Sequence, residues 1–345
     1  MHLKLTSTLL LGAALAWGGA AHARDLTVVN FGGAGGAAQK SAWFDHYTKD
    51  TGKPIIEVAY NGEQAKIKAM VDANNVVWDV IEGETGSMPQ GCESGVYEDI
   101  DWASILDADD FLPGALEYCG VGTWVWGYVM TYNTELTKEA PTSWADFWNV
   151  EKFPGKRGMR KTALYNIEPA LVADGVPVED VYKVLSTPEG IDRAFKKLDE
   201  LKPHIQWWEA GSQPVQLLAA GDVVMSPVYN GRVFDAQKEG YPLKAVWNAS
   251  LYDYDYWVVP TGSPNKEQAI EFIKYITAPD QQARAAAAIP YGPVTKSGLA
   301  KVSPEVLAQL PNAPENAKNA IRNNIEFWAD HGEELEQRFA AWAAQ

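Results

Sequence analysis

The sequence has little of what enzymes and metal sites are usually built from. It holds only two cysteines and five histidines. Beyond the first 23 residues the histidines are His46, His204 and His331, in no metal-ligand spacing. There is no Gly-x-Ser-x-Gly elbow, no His-Glu-x-x-His and no P-loop, so no nucleophile, zinc or phosphate signature directs the function. Basic residues are also scarce: 29 Lys and Arg stand against 45 Asp and Glu, a formal charge of −16 without a basic block. Such a chain repels phosphate backbones, which excludes nucleic acid as a partner. After the first 23 residues no apolar run reaches the roughly 20 residues needed to cross a bilayer.

What is present describes a globular, exported protein. Hydrophobic residues make up 46 % and charged residues 21 % of 345, enough apolar mass for about two domains at roughly 150 residues each. Lys4, the apolar run Leu9 to Trp17 and Ala21-His22-Ala23 form a secretory signal peptide over residues 1–23, cleaved after Ala23. No cysteine follows that site, so a lipid anchor is not expected. Losing Lys4 with the leader leaves 28 basic against 45 acidic residues, or −17. In an oxidising periplasm Cys92 and Cys119 read first as one disulfide, with a catalytic Cys–His pair as the lesser alternative.

The hydrophobic pattern alternates strand with helix. Leu26 to Phe31 reads as a buried strand, followed by a glycine-rich turn (Gly32, Gly33, Gly35, Gly36) and a helix over about 37–49 stopped by Gly52. Strands at Pro54–Tyr60 and Val77–Ile81 enclose a helix at Glu63–Ala73, a β-α-β-α-β unit that argues for a parallel sheet. Thr123–Asn133 is a β-rich run long enough to link two lobes, and Thr142–Trp148 is an N-capped short helix. A second alternating set follows, with helices near 187–201, 213–220 and 231–239 and strands at His204–Trp208, Val223–Val228, Lys244–Trp247 and Tyr254–Val259. Helices near 265–287, 303–310 and 314–343 complete the chain.

Two kinds of candidate site stand out. Gly33-x-Gly35-x-x-Ala38 follows a strand, opens a helix and has Glu57 on the next strand, the outline of a dinucleotide fingerprint. It supports the alternative of an exported nucleotide-dependent oxidoreductase. The competing reading is a plain turn whose free N–H groups can still meet a carboxylate. The aromatic clusters are more specific. Trp124-Val-Trp126-Gly-Tyr128 and Tyr252-Asp-Tyr254-Asp-Tyr256 alternate, and Tyr229-Asn-Gly-Arg232 falls at a strand end. Core packing accounts for any one aromatic. Carboxylates between aromatics need partners, which makes Asp253 or Asp255 a candidate ammonium site. Arg232 is either a surface residue or a bidentate carboxylate anchor.

At these residues the chain resembles the periplasmic solute-binding proteins of ABC importers, in particular the spermidine/putrescine-binding group. The shared segments are Thr51-Gly-Lys-Pro-Ile55, Trp78-Asp-Val-Ile81, Trp126-Gly127, Thr142-Ser-Trp-Ala-Asp-Phe-Trp148, Tyr229-Asn-Gly231, Asp255-Tyr-Trp-Val-Val-Pro260 and Ile289-Pro-Tyr-Gly-Pro293. The resemblance implies an α/β fold of the type II, Venus-flytrap kind, each lobe a mainly parallel sheet flanked by helices. Residues 24–130 with 256–300 would form lobe one, and 131–255 with 301–345 lobe two. It also implies a non-catalytic, cofactor-free monomer that binds a small solute between the lobes and delivers it to an inner-membrane permease. Carried over by position, Phe31, Tyr229 and Tyr291 are cleft aromatics, Glu84 a polar cleft residue, and Asp255 the partner of an amine. Trp126 is taken as a further wall, and Arg232 with the turn at Gly33–Gly36 as the holder of a carboxylate. Two departures bear on the ligand. The family's acidic pair near 160–168 is replaced by Arg160-Lys-Thr-Ala-Leu-Tyr165, and the acid of the opening turn by glycines. The expected solute is therefore a polyamine or a zwitterionic amino compound such as γ-aminobutyrate. An adhesion or scaffold protein without a small ligand is the remaining rival.

Overall fold

The structure, a computed structural model, describes residues 24–345; the leader lies outside them. Ten strands form one sheet: β1 (Leu26–Asn30), β2 (Ile55–Ala59), β3 (Val80–Glu84), β4 (Leu116–Glu117), β5 (Gly120–Asn133), β6 (Arg157–Arg160), β7 (Ile205–Trp208), β8 (Met225–Tyr229), β9 (Leu243–Val258) and β10 (Ile321–Arg322). Their order is β2-β1-β3-β9-β5-β8-β6-β7, with β10 beside β9 and β4 beside β5. The trio β2, β1, β3 is parallel, and so is the trio β8, β6, β7. Between them lies the antiparallel pair β5–β9, of 14 and 16 residues. The end of β9 pairs with β3, while the Tyr128–Tyr132 half of β5 pairs with β8. Both long strands thus run through both halves of the sheet.

Most of the expected elements are present, and the differences have local causes. The first helix begins at Gly33 and runs through a π-helical stretch to Thr51. Of the four glycines read as a turn, Gly32 precedes the helix while Gly33, Gly35 and Gly36 lie in it, and at Gly36 a Cβ would lie 3.0 Å from the Asn30 amide. Val77–Asp79 are not in β3. Asp79 leaves the ladder to accept hydrogen bonds from Thr27 N (2.8 Å), Ser263 Oγ (2.7 Å), Asn265 Nδ2 (3.1 Å) and Arg24. The two strands expected at 244–259 are one. Ala249, at φ +52°, absorbs the register shift opposite Tyr128–Met130, and β5 keeps the ladder intact. Pro279 splits the helix expected at 265–287 into Lys266–Ile276 and Pro279–Ala288. The last helix starts only at Ile325, because Ile321–Arg322 pair with β9.

Cys92 and Cys119 form a disulfide, their Cα atoms 6.0 Å apart, tying helix Met88–Glu93 to the start of β5. Among the described residues no helix is long and apolar enough to cross a membrane.

Asp79 is fully buried and fastens the first strand to the 263–265 turn. Asp79→Ala removes the acceptor of a buried N–H and of three side-chain donors, and is expected to cost about 3 kcal/mol of unfolding free energy in urea titrations.

Candidate functional site

Alternation along β5 and β9 places Trp124 and Trp126 on one face, in register with Asp255 and Asp253. The half-buried Asp255 carboxylate accepts the Trp124 indole N–H at 2.9 Å and that of Trp126 at 3.0 Å, one on each oxygen. Burial raises its pKa to about 7, the indole donors oppose that shift, and the charge of Glu84 adds to it. Glu84 ends β3 directly opposite Asp255 and is exposed. Glu82, two residues earlier, is buried against Gln39 Nε2 at 2.7 Å. Desolvation first, then Asp255, holds its pKa well above the carboxylate range. Asp255 is therefore an acid with capacity for one cation, beside a buried Glu82 that holds its proton more tightly than an ordinary carboxyl group.

Aromatic rings wall this carboxylate. Tyr291 meets Trp124 edge-on at 4.9 Å, and Tyr229 meets Trp126 edge-on at 5.3 Å. Asn230 fixes both tyrosine-bearing segments: its Oδ1 accepts from Gly127 N and its Nδ2 donates to the Pro290 carbonyl. Gly292 also exchanges two backbone hydrogen bonds of 2.7 Å with Val125. Phe31 is stacked on Tyr60 at 5.1 Å. Gly33, at φ +61°, opens the helix whose Gly35 lies 3.5 Å from Trp124, measured from the position of a Cβ.

The positive charges lie beyond the tyrosines. Arg160 ends β6 and donates to the Tyr229 hydroxyl at 3.0 Å. Half-buried Arg232 stands beside the Tyr229 ring and lines a cavity of about 340 Å³ together with Ala34, Asp235 and Glu239. Among the described residues neither guanidinium has a carboxylate within 4.0 Å.

Of the sequence candidates, Asp255, Trp126, Tyr229 and Tyr291 lie in one cluster with Trp124, and Glu84 pairs opposite Asp255. Asp253 does not open to this cluster. Its carboxyl group is 1 % exposed and is already met by Thr85 Oγ1, Tyr165 OH, Asn323 Nδ2 and Tyr254 N at 2.7–2.9 Å. The sequence also left Trp124, Glu82, Tyr165 and Arg160 unassigned. Two carried a signal: Trp124 in the alternating aromatic run, and Arg160 as a base where the resemblance leads one to expect an acid. Glu57, the acid a nucleotide would need for its ribose, instead accepts the Asn30 amide at 2.9 Å.

Two parallel sheet halves joined by shared long strands, with an aromatic cleft at the junction, define a two-lobe periplasmic binding protein. The pattern of the bacterial extracellular solute-binding proteins matches residues 42–315, and the chain belongs to that family. It is the substrate-binding protein of an ABC transporter. The gamma-aminobutyric acid-binding protein of Pseudomonas aeruginosa is 54 % identical over 97 % of this chain and 96 % of its own length. The spermidine/putrescine-binding periplasmic protein of Salmonella typhimurium is 25 % identical over 81 % of this chain and 82 % of that protein. The solved structure of a GABA receptor superposes with a TM-score of 0.84 at 34 % identity, covering 93 % of this chain and 98 % of the other.

Indole donors favour the ionised form of Asp255. Trp124→Phe or Trp126→Phe is expected to move its titration midpoint upward from about 7, by about one pH unit for each donor lost. Carbon-13 NMR of the ligand-free protein reads this directly.

Proposed function

We propose that the protein captures γ-aminobutyrate or an ω-amino acid of similar length. The observation that carries this reading is the order of charges along the aromatic cleft. Asp255 lies between two indoles at one end, and the unpaired guanidiniums of Arg160 and Arg232 lie behind Tyr229 at the other. The ligand ammonium pairs with Asp255 against the Trp124 and Trp126 rings. Its carboxylate meets Arg160, with Arg232 and the N–H groups after Gly32 at the rim. A linear polyamine would instead place its second ammonium against a guanidinium, a like-charge contact that selects against it. The 54 % identical relative, named for γ-aminobutyric acid, supports the same solute.

In this reading residues 24–130 with 256–300 form lobe one, and 131–255 with 301–345 form lobe two. The leader 1–23 directs export to the periplasm. The protein works as a monomer without a cofactor and is not an enzyme; the closed, loaded form is what the inner-membrane permease receives. Closure follows from contacts that one lobe alone cannot supply. The nucleotide alternative is disfavoured because Glu57 is already engaged by Asn30.

Isothermal titration calorimetry tests the assignment. γ-Aminobutyrate is expected to bind more tightly than putrescine or spermidine, and Asp255→Asn to weaken it by about 100-fold, the equivalent of roughly 2.7 kcal/mol. Tighter binding of a polyamine would replace this reading with the polyamine one.

The pH dependence has a defined sign. The ammonium needs ionised Asp255, whose ligand-free pKa is about 7. Below that value binding must release a proton, so affinity is expected to fall about tenfold per pH unit from pH 7 downward and to level off above pH 8. Proton release measured in buffers of different ionisation enthalpy checks it.

A further inference from the structure

β9 carries two carboxyl groups on one face, and only Asp255 opens to the cleft. Asp253 is used differently. Thr85, which follows β3, donates to its Oδ1 at 2.7 Å. Tyr165, which precedes helix Ile167–Ala173, donates to its Oδ2 at 2.9 Å. Asn323, next to β10, donates to Oδ2 at 2.7 Å. These three donors come from the first half of the sheet, from the second half, and from the third segment that runs alongside the long strands.

Tyr165 is held in place at a cost. Its φ is +66°, a conformation that non-glycine residues seldom adopt. The turn that imposes it is clamped from the last helix, where the Glu336 carboxylate accepts the N–H groups of Ala163 and Leu164 at 3.0–3.1 Å. Asn166 adds two hydrogen bonds of 2.7 Å to the carbonyls of Arg160 and Thr162. Thus fixed, the Tyr165 ring stands edge-on to Trp126 at 5.4 Å, and Trp126 is one of the two donors to Asp255.

We propose that Asp253 is a positioning residue for solute capture: its buried carboxyl group ties the segment after β3, the Tyr165 turn and the Asn323 segment to one point on β9, and through Tyr165 it sets the Trp126 indole that orients Asp255. The proposal rests on the cleft around Asp255 being the solute site. It does not depend on which amine fills that site.

The test uses the full mature chain with Tyr165→Phe and Thr85→Val, which each remove one hydroxyl and leave the fold's apolar contacts in place. Two readouts are taken. In the ligand-free protein, hydrogen exchange of the Trp126 indole N–H is expected to accelerate about tenfold in Tyr165→Phe. With γ-aminobutyrate and β-alanine as probes, Kd is expected to rise about tenfold by the same factor for both, mainly through faster dissociation, as for one lost hydrogen bond to a carboxyl group. The double variant should lose less than the product of the single losses, because both donors act through one carboxyl group. Wild-type indole exchange, or wild-type Kd and dissociation rate, in Tyr165→Phe would overturn the proposal even if the melting temperature fell. Should neither probe bind the wild-type chain, the proposed solute fails, while indole exchange still decides the role of Asp253.

Discussion

The antiparallel pairing of β5 with β9 is the constraint on which the rest depends. Residues facing each other across this ladder are fixed by register, so Trp124 opposite Asp255 and Trp126 opposite Asp253 follow from the pairing itself. Each strand pairs in both halves of the sheet, so these residues sit on the strands that the halves share. In the proposed reading, the ammonium end of the cleft is therefore fixed by strand pairing alone. The groups at its edge are divided: Phe31 and Glu84 come from the β1–β3 half, while Tyr229, Arg160 and Arg232 come from the β6–β8 half. A solute that reaches from Asp255 to the guanidiniums makes its full set of contacts only when the halves approach, which is the differential affinity that closure requires.

The aromatic setting of Asp255 sharpens its selectivity. An indole N–H donates and cannot accept, so Trp124 and Trp126 reward the ionised carboxylate and, taking one lone pair on each oxygen, leave the others to a cation. Burial opposes ionisation, and the two influences leave the group near neutrality, at about 7. An ammonium then replaces a proton. A neutral amide or alcohol of the same size offers no such exchange. The formal charge of −16 has little part in this, because exposed acids are screened within roughly 10 Å at 0.1 M salt.

The alternation of elements was legible from the sequence because its signals are local: Gly52 ends a helix at φ +73°, Ser143 caps another, and the apolar run at Leu26 is buried throughout. What failed was mostly non-local. Val77–Asp79 looks like strand until Ser263 and Asn265, more than 180 residues on, claim the Asp79 carboxylate. Asp253 and Asp255 share a face and a sequence context, so no pattern separates them; Thr85, Tyr165 and Asn323 do, from three distant segments. The alternation of Asp with aromatics marked Asp253 or Asp255 without choosing between them, and the family resemblance pointed to Asp255. Arg160 was visible as an anomaly, but whether a strand-end arginine faces a cleft or solvent is decided by its neighbours, here Tyr229 of β8.

The glycine-rich turn shows why a local motif can be satisfied without its function. Gly33-x-Gly35-x-x-Ala38 does what a dinucleotide fingerprint requires of the backbone: it leaves a buried parallel strand, turns sharply through positive φ at Gly32 and Gly33, and starts a helix packed close to the sheet. Those demands belong to the strand–helix junction, whatever binds there. Specificity enters with the groups the junction faces. Here the acid on the next strand is occupied by Asn30, and the surface brought near Gly35 is the Trp124 ring. A nucleotide would find an acid already hydrogen-bonded to Asn30 and an indole where the first turn must admit phosphate. In the proposed reading, a short amino acid meets the N–H groups of a helix start on one side and a carboxylate between indoles on the other. The same backbone thus serves a different chemistry because the side chains across the cleft have changed.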